Sequence, residues 1–227
     1  MRRWSVSAVA VAILTLLSAP DLQAADDFRQ VQFGLMGGVD LLIDGKSRSM
    51  VKQPWGGGIY AKLFPVNYMS IQFDAGYYIA FRSKTVSFHN LVRYKEVSAL
   101  GTAPIMLGIN YEIRPDKTFD PFIGLAGGIY YTIVTQTAQN VSNLGSNPVG
   151  ATSMTSNDLL VKATKVLPAA AARLGLDIRP LRFITLMVWA QYSYTFDHPE
   201  LVNDRLGTKK AFIMDNLGLY LATGLSF

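Results

Sequence analysis

The sequence predicts an all-β fold, an eight-stranded antiparallel transmembrane β-barrel arranged as an up-and-down meander. Apolar side chains recur at every second position along many segments, which is typical of strands with one apolar face. Half of the residues are hydrophobic and 16% are charged, yet after residue 25 no stretch reaches the ~20 apolar residues that a membrane helix needs. The breaks between segments alternate between short and long, as in barrels with short periplasmic turns and long outer loops.

Residues 1–24 are predicted to be a cleaved signal peptide, which leaves residues 25–227 as one barrel domain. Arg2 and Arg3 form a basic start, residues 6–17 form an apolar run, and an exit with small side chains follows, in the order expected of a secretory signal. The chain has no cysteine and a formal net charge of +5. We therefore expect neither disulfides nor a lipid-modified cysteine, and no nucleic-acid partner.

The strand pattern is clearest in three segments. Between residues 31 and 41 and between residues 71 and 81, the odd-numbered positions are mostly apolar, whereas the even-numbered positions are mainly small or polar. Between residues 213 and 227 every second position is again mostly apolar, apart from Asp215. We expect Asp215 at the rim of the barrel, because a charged group on a lipid-facing surface is costly.

Five more segments follow the alternation less strictly: residues 55–64, 97–112, 119–134, 163–178 and 182–196. The total of eight strands is even, as expected of bacterial barrels. Short connections are predicted at residues 65–67, 114–118 and 179–181, and long loops at residues 42–54, 83–96, 135–162 and 197–211. Tyrosines that follow the short turns are expected at the membrane interfaces: Tyr77, Tyr78, Tyr130, Tyr131, Tyr192 and Tyr194.

Closure of the sheet follows from the cost of unpaired peptide groups in hydrocarbon, which is several kcal/mol for each group. Eight strands enclose an interior just wide enough to be filled by side chains, so a wide aqueous pore is disfavoured. The alternation assigns four acids and four bases to the lumen, where we expect them to neutralise one another. These residues are Asp40, Lys62, Asp74, Arg82, Glu112, Lys165, Arg173 and Asp177.

Basic side chains in the first two long loops are candidates for contact with lipopolysaccharide phosphates. Charge-assisted hydrogen bonds favour such contacts, although exposed bases are commonly only solvated. The candidates are Lys46, Arg48, Lys52, Lys84, Arg93 and Lys95.

We expect no enzymatic activity, no cofactor and no metal. The two histidines, His89 and His198, lie in long loops, and with no cysteine they make a poor zinc set. The enzymatic alternative is a lipid A-modifying barrel, in which His198 would act as a base with Ser193 and with Asp197 or Glu200 nearby. Nucleophilic catalysis would require hydrogen-bond contact between these groups.

The mature chain resembles the small outer-membrane β-barrel family that includes the barrel domain of OmpA and the opacity-type proteins. The resemblance rests on the glycine-rich segments at residues 33–38 and 121–128 and on the terminal Phe227. It implies an integral outer-membrane location and contact with outer-membrane lipid. It also implies that periplasmic chaperones and the barrel-assembly machinery act during biogenesis. The predicted assembly signal consists of Leu221, Leu225 and Phe227.

The resemblance is more informative about fold than about function. A monomer that supports membrane integrity, with loops that bind surface molecules, is the first interpretation. A narrow channel for small or apolar solutes is the alternative. A soluble eight-stranded ligand carrier would bury its apolar face instead of exposing it, which conflicts with the charged residues assigned to the interior.

Overall fold

A computed structural model describes residues 31–88, 92–115, 117–140, 158–203 and 208–227. The predicted signal peptide, residues 1–24, lies outside these ranges. The described residues form β1 (Val31–Leu42), α1 (Gly45–Met50), β2 (Trp55–Val66), β3 (Met69–Phe88), β4 (Val92–Glu112), β5 (Phe119–Asn140), β6 (Asp158–Leu181), β7 (Ile184–Thr195), β8 (Glu200–Asn203), β9 (Thr208–Ala211) and β10 (Asn216–Ser226). No helix in these ranges is long and apolar enough to cross a membrane.

Eight of these strands form a closed barrel in the order β1-β10-β7-β6-β5-β4-β3-β2, with every neighbouring pair antiparallel. The first and last strands close it, from Gln32 opposite Ser226 to Leu42 opposite Asn216. The predicted fold class is therefore confirmed. Strands β8 and β9 form a separate two-stranded hairpin in the long connection between β7 and β10. The short turns lie at the end that holds the C-terminus, which makes that end periplasmic.

The predicted boundaries of the outer loops are wrong in several places. Residues 83–88 and 92–96 are paired strand and not loop, with Lys84 opposite Glu96 and Phe88 opposite Val92. Strand β5 extends to Asn140 and β6 begins at Asp158, so residues 135–140 and 158–162 of the third predicted loop are strand, and residues 141–157 lie outside the described ranges. Backbone pairing continues past the membrane where neither face needs to be apolar, so the alternation that signals a strand fades there.

The exterior of the barrel is apolar and carries aromatic side chains at both ends. Exposed aromatic residues near the periplasmic end are Phe33, Tyr68, Tyr111, Phe183 and Phe227. Those nearer the outer end are Trp55, Tyr77, Phe81, Tyr131, Tyr192, Tyr194 and Phe196. This arrangement gives an outward apolar band between two aromatic girdles.

Two of the predicted interfacial tyrosines point inward instead. Tyr78 and Tyr130 are fully buried, whereas their neighbours Tyr77 and Tyr131 are exposed. The reason is the pleat, because adjacent residues of a strand face opposite sides of the sheet.

Aromatic rings fill part of the lumen. Trp189 stacks on Tyr220 with the ring centroids 5.0 Å apart, and Tyr78 meets Tyr220 edge-on at 6.0 Å. The Tyr220 ring covers Gly218, where an added Cβ would collide with the ring. The glycine-rich strands therefore make room for large side chains inside the barrel.

The outer end of the lumen is closed by an apolar cluster. It combines barrel residues such as Leu42, Leu100 and Leu167 with Phe212 and Met214 from the segment before β10. Helix α1 covers this end. The Ile213 amide donates to Ser47 Oγ at 2.9 Å, and Ser47 is fully buried.

Candidate functional site: the charged lumen and the outer face

A continuous chain of polar contacts crosses the lower lumen and joins seven of the eight barrel strands. It runs from β1 to β7 through side chains that face the lumen, on the same side of the sheet as the predicted charged residues. The members are Gln32, Lys62, Ser70, Gln72, Asp74, Asn110, Glu112, Tyr130, Arg173, Asp177, Thr185, Gln191 and Ser193. Sequence reasoning found the charged members and missed the neutral ones, although strand parity could have located them.

Lys62 is the central cation near the periplasmic end. Its Nζ lies 2.8 Å from Glu112 Oε1 and 3.5 Å from Asp177 Oδ2, and all three side chains are fully buried. The ammonium group also lies 4.4 Å from the centroid of the Phe122 ring. Lys62 thus ties β2 to β4 and β6 in a site without solvent.

Arg173 is the second buried cation. It forms an ion pair with Asp74, and its Nε donates to Gln191 Oε1 at 2.8 Å. Gln191 Nε2 in turn donates to Ser193 Oγ at 2.9 Å, and the Tyr130 hydroxyl donates to the same oxygen at 3.0 Å. These contacts link β3, β5, β6 and β7, so the guanidinium joins strands that are not all neighbours in the sheet.

Asp40 is also buried, but it is not part of this chain of polar contacts and makes a separate hydrogen bond. Its Oδ1 accepts a hydrogen bond from the Tyr220 hydroxyl at 2.6 Å, across the seam between β1 and β10. The carboxyl group is therefore stabilised by an aromatic hydroxyl at the point where the barrel closes.

Two of the eight predicted lumen charges lie elsewhere. Arg82 is only half-buried and its Nη1 donates to the Arg48 carbonyl of α1 at 2.8 Å. Lys165 lies 2.7 Å from Asp197 Oδ2 and its side chain is 38% exposed. By the alternation along the strand both residues face inward, but they lie in the outer parts of β3 and β6, beyond the buried network, where they reach loop groups and solvent.

The predicted balance of four acids and four bases is therefore wrong. Among the eight, the buried set contains four carboxyl groups, on Asp40, Asp74, Glu112 and Asp177, and only two cations. The sequence-based count failed because the alternation along a strand predicts which face of the sheet a side chain occupies. It does not predict whether the residue lies level with the buried network or beyond it. Within the described residues no group of three or more His, Cys, Asp or Glu could hold a metal ion.

The predicted lipopolysaccharide candidates lie on the outer end of the barrel. Lys46, Arg48, Lys52 and Lys84 are exposed. The backbones of Arg93 and Lys95 belong to β4, and their side chains lie outside what the structure describes.

Arg48 has a structural contact as well, because its Nε donates to the Leu42 carbonyl at 2.8 Å. Asp44 caps α1 by accepting from the Ser47 amide at 2.7 Å, and this bond lowers the pKa of the Asp44 carboxyl. Helix α1 is thus held in place next to the exposed bases.

Among the described residues, Ser193 makes no hydrogen bond to His198, the candidate base of the enzymatic alternative. Ser193 Oγ lies in the lumen network with Tyr130 and Gln191. Asp197 is engaged by Lys165, and this hydrogen bond lowers the pKa of Asp197. Glu200 begins β8, and His89 lies outside the described residues. The candidate acid is thus paired with a lysine and the candidate nucleophile is buried among other hydroxyl and amide groups.

The predicted assembly signal lies on the lipid-facing side of the closing strand. Leu221, Leu225 and Phe227 are exposed, and Phe227 stacks on Phe33 of β1 with the ring centroids 5.8 Å apart. The Phe227 and Val31 backbones exchange two hydrogen bonds, of 2.9 and 3.1 Å. The C-terminal residue therefore completes the seam between β1 and β10.

No protein-family model matches the chain, and no curated protein matches it. Among solved structures, the outer membrane protein OprG from Pseudomonas aeruginosa is similar at a TM-score of 0.55 and 14% identity, covering 88% of this chain and 97% of that one. A major outer membrane protein from Thermus thermophilus gives a TM-score of 0.49 and 11% identity, covering 87% and 99%. Ail of Yersinia pestis, solved with the heparin analogue sucrose octasulfate, gives 0.41 and 11%, covering 87% and 96%.

At these identities the similarity concerns the fold. A closed eight-stranded sheet with an apolar exterior and two aromatic girdles is suited to a bilayer, because closure leaves no unpaired strand edge in hydrocarbon. On these grounds the chain is an integral protein of the bacterial outer membrane, with the fold of the small eight-stranded barrels such as the OmpA barrel domain.

Proposed function

We propose that this chain is a non-conducting structural barrel, which supports the outer membrane as a monomer and binds lipopolysaccharide through its outer bases. The observation that carries the first part is the filled lumen. A buried polar network occupies the periplasmic half, and an apolar cluster under α1 occupies the outer end. A barrel of this size has little room left for an aqueous path.

Lipopolysaccharide binding is supported by the position of the exposed bases. Lys46 lies in the first turn of α1, Lys52 follows the helix, and Lys84 lies on the outer part of β3, beyond the apolar band. The phosphates of lipopolysaccharide lie just outside the hydrocarbon, within reach of such side chains, and lysine binds phosphate as a point charge.

Replacing Lys46, Lys52 and Lys84 together with glutamine should lower the amount of lipopolysaccharide retained by the purified barrel at least about fivefold, since each base near an anionic surface contributes about 1 kcal/mol. Arg48 is left unchanged because it bonds the Leu42 carbonyl. Retained lipopolysaccharide is measured per mole of folded barrel. The matched control removes three bases from the periplasmic end, Arg114, Lys117 and Arg182. Equal retention by the wild type and the outer triple variant would contradict this part of the proposal.

We propose further that the lipid-facing end of β10, with Leu221, Leu225 and Phe227, is read by the assembly machinery. Deleting Phe227 should lower the folded outer-membrane fraction several-fold, measured by heat-modifiable migration. Phe33→Ala is the control, because it removes the stacking partner of Phe227 and keeps the terminal residue. If the control lowers assembly as much as the deletion does, the effect belongs to packing at the seam and the recognition role is wrong.

A further inference from the structure

We infer that the periplasmic rim carries a binding site for anionic phospholipid headgroups. The site, called here the periplasmic basic patch, consists of Arg114 and Lys117 in the β4–β5 turn, Arg179 at the end of β6, and Arg182 in the β6–β7 turn. Arg114, Lys117 and Arg182 are exposed, and Arg179 is half-buried. The inference is independent of lipopolysaccharide binding at the opposite end.

The patch is contiguous because Arg179 connects the two turns. Its Nη2 donates to the carbonyls of Pro115 and Lys117, and its amide donates to the Thr118 carbonyl at 2.9 Å. The β4–β5 turn is therefore fixed against the end of β6. The basic side chains of both turns lie on one side of the rim, since β4, β5, β6 and β7 are successive in the barrel.

The exposed charged side chains that the structure describes on this side of the rim are basic. The acids of the β4–β5 connection are Asp116, which lies outside the described residues, and Asp120, which is buried and accepts a hydrogen bond from the Arg114 amide at 3.0 Å. Glu112 and Asp177, near the ends of β4 and β6, are fully buried and both pair with Lys62. The β2–β3 turn, with Asn67 and Tyr68, has no charged residue.

The surface beside the patch identifies a lipid as the partner. Ile113, Leu181 and Phe183 directly adjoin the patch in sequence and are 47%, 52% and 55% exposed. A soluble anion or an anionic polymer would contact the bases alone. A phospholipid has a phosphate for the bases and acyl chains for these apolar side chains, and basic residues at a membrane interface attract anionic headgroups.

The test compares lipids retained by the purified full-length mature barrel from equimolar phosphatidylglycerol and phosphatidylethanolamine, measured by native mass spectrometry. The wild type should prefer phosphatidylglycerol at least about fivefold, and Arg114→Gln, Lys117→Gln and Arg182→Gln combined should abolish that preference. Arg179 is kept, because it holds the turn. The outer triple variant at Lys46, Lys52 and Lys84 is the matched control and should keep the wild-type preference. Heat-modifiable migration verifies folding of each variant.

If the triple variant fails to fold, the exposed single changes Lys117→Gln and Arg182→Gln should each lower the preference by a smaller factor, and more salt should weaken it in the wild type. Equal retention of the two lipids by the wild type would overturn the inference. So would a preference that survives the triple change. The inference would also be overturned if the triple variant kept its phosphatidylglycerol preference but lost a co-purified protein or its binding to peptidoglycan. That result would assign the patch to the lost partner.

Discussion

Replacing Lys62 with methionine should lower the free energy of unfolding by about 3–5 kcal/mol, because it leaves buried carboxylates without their cation. Lys62 lies between Glu112 and Asp177, at 2.8 and 3.5 Å, and none of the three side chains reaches solvent. The measurement is urea unfolding of the refolded barrel in detergent micelles. Lys165→Met is the matched control, since Lys165 pairs with Asp197 at the exposed outer end and the midpoint should stay near that of the wild type.

The same site gives a rescue test. Adding Glu112→Gln and Asp177→Asn to Lys62→Met removes the uncompensated charges and should recover much of the lost stability, because a neutral buried set avoids the cost of isolated ions. A loss below about 1 kcal/mol for Lys62→Met alone would show that the buried ion pairs are not what stabilises this end of the barrel.

Gly58→Val should prevent β2 from seating against β3 and so block assembly of the barrel. A Cβ at Gly58 would lie 2.5 Å from Gly76 Cα and 2.9 Å from the Ala75 carbonyl carbon, both of them backbone atoms of β3 that cannot rotate away. Overpacking costs about 1–3 kcal/mol even where side chains can adjust, so we expect at least the upper end of that range. The folded fraction is measured by heat-modifiable migration.

Gly127→Val is the control for this change. A Cβ at Gly127 would meet nothing nearer than the Ala169 carbonyl oxygen, at 3.9 Å, and residue 127 is exposed on the outside of the barrel. This variant should fold like the wild type. Comparable folding of the two variants would show that Gly58 is not required for close strand approach.

The fold was predictable because the bilayer imposes a period of two on every strand. The face that contains Phe33 and Leu35 must be apolar, and the opposite face is free to hold Asp40. The outer parts of β3 and β4 were not predictable, because residues 83–88 and 92–96 lie beyond the apolar band and their backbone pairing leaves no apolar pattern in the sequence.

The alternation along each strand predicted which side of the sheet each candidate site residue faces. It did not predict how far along the barrel the residue lies. Asp74 and Arg82 share a strand and a face, yet Asp74 is buried against Arg173 while Arg82 contacts α1. Depth depends on strand tilt and on the loops that cover the outer end, which are long-range features. Helix α1 was also missed, because a six-residue segment has too few turns to show helical periodicity.

Single-channel recording in planar bilayers tests the central claim most directly, which is that the lumen is filled and does not conduct. A mock purification from cells that lack the protein serves as the control for contaminating porins. We predict no discrete current steps from the folded barrel, because the polar network, the aromatic rings and the apolar cluster under α1 together occupy the interior. Reproducible, stable conductance steps that require the folded barrel would contradict the account.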